Sequence, residues 1–265
     1  MTATPAVLAT REGGLLRLTM NQPDKRNALG EAMLAGLQAA FDAATDDPRV
    51  RVIVLAAAGP VFCSGHDLKQ MTARRGDADR GRAYFDQVMT TCSRLMQTIV
   101  RHPKPVIAEV QGTATAAGCQ LVASCDLAIA ADHARFCTPG VHIGLFCSTP
   151  MVALSRNLGR KHAMEMLLTG DMIAAERAAE MGLVNRVVAA AELTAATTEL
   201  ATRIAAKSGR TLKIGKQAFY AQAEMPLAEA YDFAARVMVD NMMIPDAEEG
   251  IQAFIEKRPP QWQGG

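Results

Sequence analysis

None of the six cysteines (Cys63, Cys92, Cys119, Cys125, Cys137, Cys147) stands in a CxxC pair, and no Cys/His spacing matches a zinc site. No metal is expected, and the cysteines, set mostly among small or apolar neighbours, read as reduced core thiols. Net charge is nearly absent as well. It amounts to +1, with basic and acidic residues interspersed, which excludes long-range attraction to nucleic acid or to an acidic surface and leaves room only for a locally basic pocket. No run of about 18 apolar residues occurs, and the opening MTATPAVLAT lacks a basic region followed by a long apolar stretch. No membrane partner is expected, and a cytoplasmic protein is.

What is present is an ordinary globular composition. With 265 residues, 49% hydrophobic and 21% charged, the chain can bury one substantial core or a core with a small appendage. The stretch from Gln111 to Asp126, QGTATAAGCQLVASCD, organises the rest. A strand-like run, Pro105 to Val110, feeds into Gly112, small residues follow to Gly118, and Cys119 to Ala123 reads as the first turns of a buried helix. Small side chains let a ligand reach the backbone, and free N–H groups at a helix start are donors to partial negative charge. Such a segment suits an oxyanion hole, but taken alone it reads first as a tight strand-to-helix packing turn.

Around it, Val7 to Thr10 and Leu15 to Met20 read as a hairpin turning through Gly13-Gly14. Leu29, Met33, Leu37, Ala40, Phe41 and Ala44 carry helical spacing that Asp46-Asp47-Pro48 ends. Val50 to Ala56 is a buried strand, and a second small-residue loop, Gly59 to Leu68, follows it. A charged stretch with Arg74, Arg75 and Arg80 precedes a helix from about Gly81 to Val100. Leu127 to Ala131 is a further strand, and Val184 to Val188 the last. Strand, loop and helix recur in units, which predicts an α/β architecture with short parallel strands. Beyond a boundary near Ala191, four alanine-rich amphipathic helices (Leu193 to Ala206, Leu212 to Ala223, Leu227 to Val239, Ala247 to Glu256) have little strand company and need another surface to pack on.

The loop Phe62 to Leu68 and the segment Gly112 to Leu121, in this order, together with Asp24 to Leu29, Leu168-Thr169-Gly170, Gly182 to Asn185 and Gly250 to Pro259, resemble the crotonase superfamily, the enoyl-CoA hydratase/isomerase family. The resemblance covers nearly the whole chain. Ser64 to Lys69, Ala116 to Asp126 and Gly144 to Pro150 narrow it to the subgroup of enoyl-CoA hydratase domain-containing proteins. It implies a spiral of ββα turns over residues 1–190 that binds an acyl-CoA thioester. It further implies an α-helical region over residues 191–265 that builds a homotrimer or a dimer of trimers and caps the site. Coenzyme A would enter as part of the substrate, with no separate cofactor. Carried over by position, the two N–H groups that hold the thioester oxygen belong to Ser64 and Ala117. Lys25, Arg26, Ala28, Gly65, His66, Asp67, Leu68 and Gly118 fall on substrate-binding positions, as do Phe254 and Lys257, which would reach a neighbour's CoA.

The family's two water-activating glutamates read Gln120 and Gly140 here. Glutamine exchanges no proton near neutral pH and glycine has no side chain, so ordinary hydration is not expected. His66, His142 and Glu109 are the titratable groups near these segments. Each has a structural alternative: loop packing or a contact to CoA for His66, a strand edge for His142, a polar layer or subunit contact for Glu109. Cys147 would need a base and a depressed pKa to act as a nucleophile. Two functions follow as expectations: an enolate-stabilising enzyme of the hydratase/isomerase class, or a non-catalytic acyl-CoA binder.

Overall fold

The structure is a computed structural model that describes residues 5–263. Its strands come in pairs that turn from one sheet to another. A hairpin of β1 (Val7–Glu12) and β2 (Leu15–Met20) opens the chain, closed by Gly13 at φ +55°, a conformation a glycine adopts without strain. After α1 (Glu31–Thr45), β3 (Val52–Ala57) passes into β4 (Val61–Cys63), followed by α2 (Leu68–Ala73) and α3 (Arg82–Arg101). The pattern repeats with β5 (Val106–Val110), β6 (Thr113–Thr115) and α4 (Ala117–Ser124), and again with β7 (Leu127–Ala131), β8 (Arg135–Cys137), α5 (Ser148–Asn157) and α6 (Arg160–Thr169). The pair β9 (Ile173–Ala174) and β10 (Arg186–Val188), with α7 (Ala175–Met181) between them, completes the spiral.

After the opening hairpin, whose two strands both lie in the larger sheet, each turn contributes one strand to each sheet. The larger sheet has the order β1-β2-β3-β5-β7-β10 and the smaller β4-β6-β8-β9. Neighbours from successive turns are parallel, except that β9 runs antiparallel to β8 at the edge of the smaller sheet. Burial on both faces explains why β3, β5 and β7 are apolar but for Glu109. Ile53, Leu55, Val106, Ala108, Ala128 and Ala130 join the main core with α1, α3 and α4. Their alternates Val52, Val54, Ile107, Ile129 and Ala131 face the other way and pack with Leu193, Leu200 and Ala201 of α8 (Leu193–Ala205).

The remaining helices, α9 (Gly209–Gln222), α10 (Leu227–Met242) and α11 (Pro245–Glu256), bury little of their own surface in this chain. A polar anchor ties α9 to the core. Lys216 of α9 places its Nζ 2.6 Å from Asp126 Oδ2 and 3.1 Å from the Ile99 carbonyl, while the Tyr220 hydroxyl donates to Asp126 Oδ1 at 2.9 Å.

Candidate functional site

The loop after β4 is fixed by a neighbour from earlier in the chain. Arg26 and Asn27 both sit at positive φ, +53° and +50°, which lets the chain double back between the 3-10 turn Pro23–Lys25 and Ala28. Asn27, fully buried, holds this shape: its Nδ2 donates to the carbonyls of Ala58 (2.9 Å) and Val61 (2.8 Å), and its Oδ1 accepts from the Gln22 N–H (2.9 Å). The Leu29 N–H then donates to the Gly65 carbonyl at 2.7 Å, and the Ser64 N–H to the Arg26 carbonyl at 3.1 Å. This engagement corrects the expectation for Ser64, whose N–H is already spent. Two residues on, the His66 N–H has no protein acceptor among the described residues. Asp67 caps α2, its Oδ1 accepting from the N–H groups of Lys69 (3.0 Å) and Gln70 (3.1 Å), and Leu68 is exposed.

The second loop meets the first at Gly65. A Cβ there would stand 2.9 Å from Ala116 Cβ and 3.3 Å from the Ala117 nitrogen, so the absence of a side chain lets the two backbones touch. Gly118 is tighter still, since its Cβ would fall 2.2 Å from the Cys63 carbonyl oxygen. Between them, Ala116 is held at φ +51°, ψ −118°, a conformation that disfavours any side chain, while its N–H donates to the Cys137 carbonyl at 2.9 Å. Ala117 is the first residue of α4, and its N–H also lacks a protein acceptor among the described residues. The fold thus brings two unpaired N–H groups, on His66 and Ala117, to adjoining loops at the ends of parallel strands.

Two buried acceptors accompany them. Among the described residues, Gln120, one turn into α4 and 4% exposed, has an Oε1 with no partner, and the sealed Nε2 of His66 has none either. Burial holds the His66 imidazole below its ordinary pKa, opposed by the Leu29 carbonyl 3.4 Å from its Nδ1. Gly140 is buried in a 3-10 turn, Pro139–Ile143, and a Cβ on it would meet the Leu145 carbonyl oxygen at 2.8 Å and the Cys147 sulphur at 2.9 Å. His142 does not lie on a strand edge. It is exposed in that same turn, and its Nε2 stands 2.8 Å from the Thr169 carbonyl at the end of α6, a capping contact that commits the ring. Glu109 is committed too, its Oε1 taking Arg17 Nη1 at 2.6 Å and the Thr194 hydroxyl at 3.2 Å beneath α8. Burial raises the Cys147 thiol pKa, the opposite of an activated nucleophile.

Of the residues expected to hold CoA, Lys25 and Arg26 are exposed on the first loop and Ala28 is buried behind it. Phe254 is 85% exposed on α11, and Lys257 caps that helix at φ +53°. Among the described residues no hydrogen bond or ion pair joins either to the loops around Gly65 and Ala117. Asn27 is the site residue that sequence reasoning passed over. Its signal was an asparagine inside an otherwise charged and apolar loop, a residue suited to both left-handed backbone and bidentate bonding.

Comparison with known proteins shows the family. The enoyl-CoA hydratase/isomerase family model matches residues 10–265. The mitochondrial enoyl-CoA hydratase domain-containing protein 3 of Xenopus laevis is 47% identical over 259 residues, 98% of this chain and 86% of that protein. The human protein of that name is 48% identical over 249 residues, 94% of this chain and 80% of that one. An enoyl-CoA hydratase structure from Mycobacterium smegmatis superimposes with a TM-score of 0.93 at 49% identity, covering 98% of this chain and 99% of that. The human domain-containing protein 3 structure gives 0.92 at 47% identity, with 97% and 100% covered. The vertebrate relatives are named as mitochondrial, which overturns the expectation of a cytoplasmic protein. That expectation rested on the opening residues and on the lack of a long apolar run, and neither specifies a compartment.

Proposed function

The chain belongs to the enoyl-CoA hydratase/isomerase family, and from that premise we propose an enzyme of the lyase or isomerase type that binds an acyl-CoA thioester and stabilises its enolate. The observation that carries this reading is the pair of unpaired N–H groups on His66 and Ala117, on loops that touch at Gly65. Donors fixed in place at a developing oxyanion need no reorganisation during reaction, and each is worth about 3 to 4 kcal/mol to the transition state. The Ala117 N–H adds the positive end of α4. Because the main chain makes both contacts, side-chain identity at 66 and 117 is free to vary.

Proton transfer sets the limit. Gln120 and Gly140 offer no carboxylate, His142 is tied to the Thr169 carbonyl, and the cysteines are raised in pKa. Ordinary hydration is therefore not proposed. His66 stands in the first of the two loops, its pKa held down by burial, and its Nε2 has no partner among the described residues. Lys25 and Arg26 suit CoA phosphates. The exposed Tyr231, Met243 and Phe254 (72%, 74% and 85% exposed) support a homotrimer or dimer of trimers in which a neighbour's Phe254 and Lys257 approach the bound CoA.

A second reading, a non-catalytic acyl-CoA binder, is favoured by the crowding at Gly140, which closes the place where a second acid would stand. One experiment separates them. The protein is incubated with crotonyl-CoA and, in D2O, with butyryl-CoA. The enzyme reading expects binding, hydration far slower than that of a hydratase carrying both glutamates, and exchange of the proton next to the thioester carbonyl. Binding without exchange selects the binder, and no binding to either thioester removes both.

A further inference from the structure

Three neighbouring strands of the larger sheet, β2, β3 and β5, run parallel and end on the same edge. The chain leaves that edge through three short passages: the turn Pro23–Lys25 with Asn27 after β2, Ala58 to Pro60 between β3 and β4, and Gln111-Gly112 between β5 and β6. The passages are bonded to one another. From the β2 side, Asn27 Nδ2 donates to the Ala58 and Val61 carbonyls at 2.9 and 2.8 Å. From the β5 side, Gln111 Nε2 donates to the Gly59 carbonyl at 2.9 Å. A Cβ on Gly112 would overlap the Pro60 carbonyl, so those two backbones are in contact as well.

The second and third passages open the two strands that lead to the free N–H groups. β4 begins at Val61 and His66 follows its end by three residues, while β6 begins at Thr113 and Ala117 follows its end by two. How far β4 is slid along β6 therefore sets how far apart the two donors stand. The ladder between these strands fixes the slide weakly, because each has three residues and the register shifts between Val61 and Cys63. Hydrogen bonds from outside the ladder complete it. We infer that Asn27 and Gln111 are positioning residues, which hold the His66 and Ala117 N–H groups at the separation one thioester oxygen requires. Both act through the backbone, at the ends of β4 and β6 away from the donors. This rests on the donor-pair reading above and adds to it what fixes the spacing of the pair.

The test is infrared difference spectroscopy of butyryl-CoA, labelled with carbon-13 at its carbonyl, bound to the full-length protein. The dissociation constant and the rate of proton exchange in D2O at saturating thioester are measured alongside. In the wild-type protein the carbonyl band is expected to move to lower frequency on binding, because two donors polarise it. Asn27→Gly and Gln111→Leu should each lose about half of that displacement, as one donor of the two falls out of line. Exchange should slow on the order of 10- to 100-fold, the effect of a small misplacement, with the dissociation constant changed less than about threefold. Asn27→Gly keeps the left-handed backbone and removes only the side chain. Should it not fold, Gln111→Leu decides, since it also removes an acceptor, Oε1, that has no partner among the described residues. Where the wild-type protein shows no exchange, the band displacement alone decides. An equal displacement in wild-type and variant proteins overturns the inference, and so does a lowered melting temperature without a smaller displacement. A wild-type protein that binds the thioester and leaves its carbonyl band unmoved defeats the donor-pair reading instead, and absence of binding defeats the acyl-thioester reading.

Discussion

The Cys147 sulphur occupies the space that a side chain on Gly140 would need, standing 2.9 Å from where its Cβ would be, with the Leu145 carbonyl oxygen at 2.8 Å on another side. Position 140 is thus closed by its own following loop. Gly140→Ala is expected to lower stability by about 1 to 3 kcal/mol, the usual cost of overpacking, seen as a melting temperature reduced by several degrees. Cys147→Ala in that background should restore part of the loss, because the backbone oxygen of Leu145 remains. By the same geometry the Gln120→Glu, Gly140→Glu double variant should not hydrate crotonyl-CoA. An unchanged melting temperature in Gly140→Ala, or hydration by the double variant, would show that the loop yields.

Ala116 stores strain next to the Ala117 donor. At φ +51° and ψ −118° its Cβ is tolerated only because α4, Gly65 and the Cys137 carbonyl fix the backbone. Strain of this kind costs about 1 to 3 kcal/mol, while glycine gives up about 0.4 to 1 kcal/mol through the greater entropy of its unfolded chain. Strain wins. Ala116→Gly is expected to raise the melting temperature by about 2 to 4 °C, as a gain near 1 kcal/mol would in a domain of this size. A lower melting temperature would mean that the methyl contact with Gly65 outweighs the strain.

These two positions also show how far the sequence could be read. Long elements with strong periodicity were legible: α1 from Leu29 to Ala44, the buried strands β3, β5 and β7, and the four tail helices agree with the structure to within a few residues. The smaller sheet was not, because β4, β6 and β8 are three residues each and carry no period to detect. Helix α5 was not among the expected elements; its first turn carries Pro150, which a first turn tolerates. Gly118 and Gly65 could be seen as places of close approach, but what they approach comes from elsewhere in the chain. Ser64 illustrates the limit: which N–H in a loop is free depends on the Arg26 carbonyl, and no local pattern encodes that pairing.

His102 is expected to make the fold sensitive to acid. It is 2% exposed where α3 ends, and its neutral form is bonded on both sides: Nε2–H donates to the Phe41 carbonyl at 3.1 Å, and Nδ1 accepts the Lys104 N–H at 3.2 Å. Thr45 lies 3.3 Å from Nε2. Burial pushes the imidazole down to about 4, aided by the nearby charges of Lys216 and Lys104 and opposed by the Phe41 carbonyl. A second proton would have to sit on Nδ1, where the Lys104 N–H already points at 3.2 Å, and the Lys104 carbonyl at 3.4 Å only partly offsets that. In the unfolded chain the same ring titrates near its ordinary value of about 6.5. The unfolded state therefore binds the proton first, so His102 costs the fold nothing above about pH 6.5 and removes stability as the pH falls from there toward 4. At pH 5 the loss is on the order of 2 kcal/mol, growing to about 3 kcal/mol near pH 4. Urea unfolding at pH 7.5 and pH 5 should show this loss in the wild-type protein and a smaller one in His102→Gln, which keeps a donor toward Phe41 but cannot charge. Equal pH dependence in the two proteins would assign the acid sensitivity to other groups.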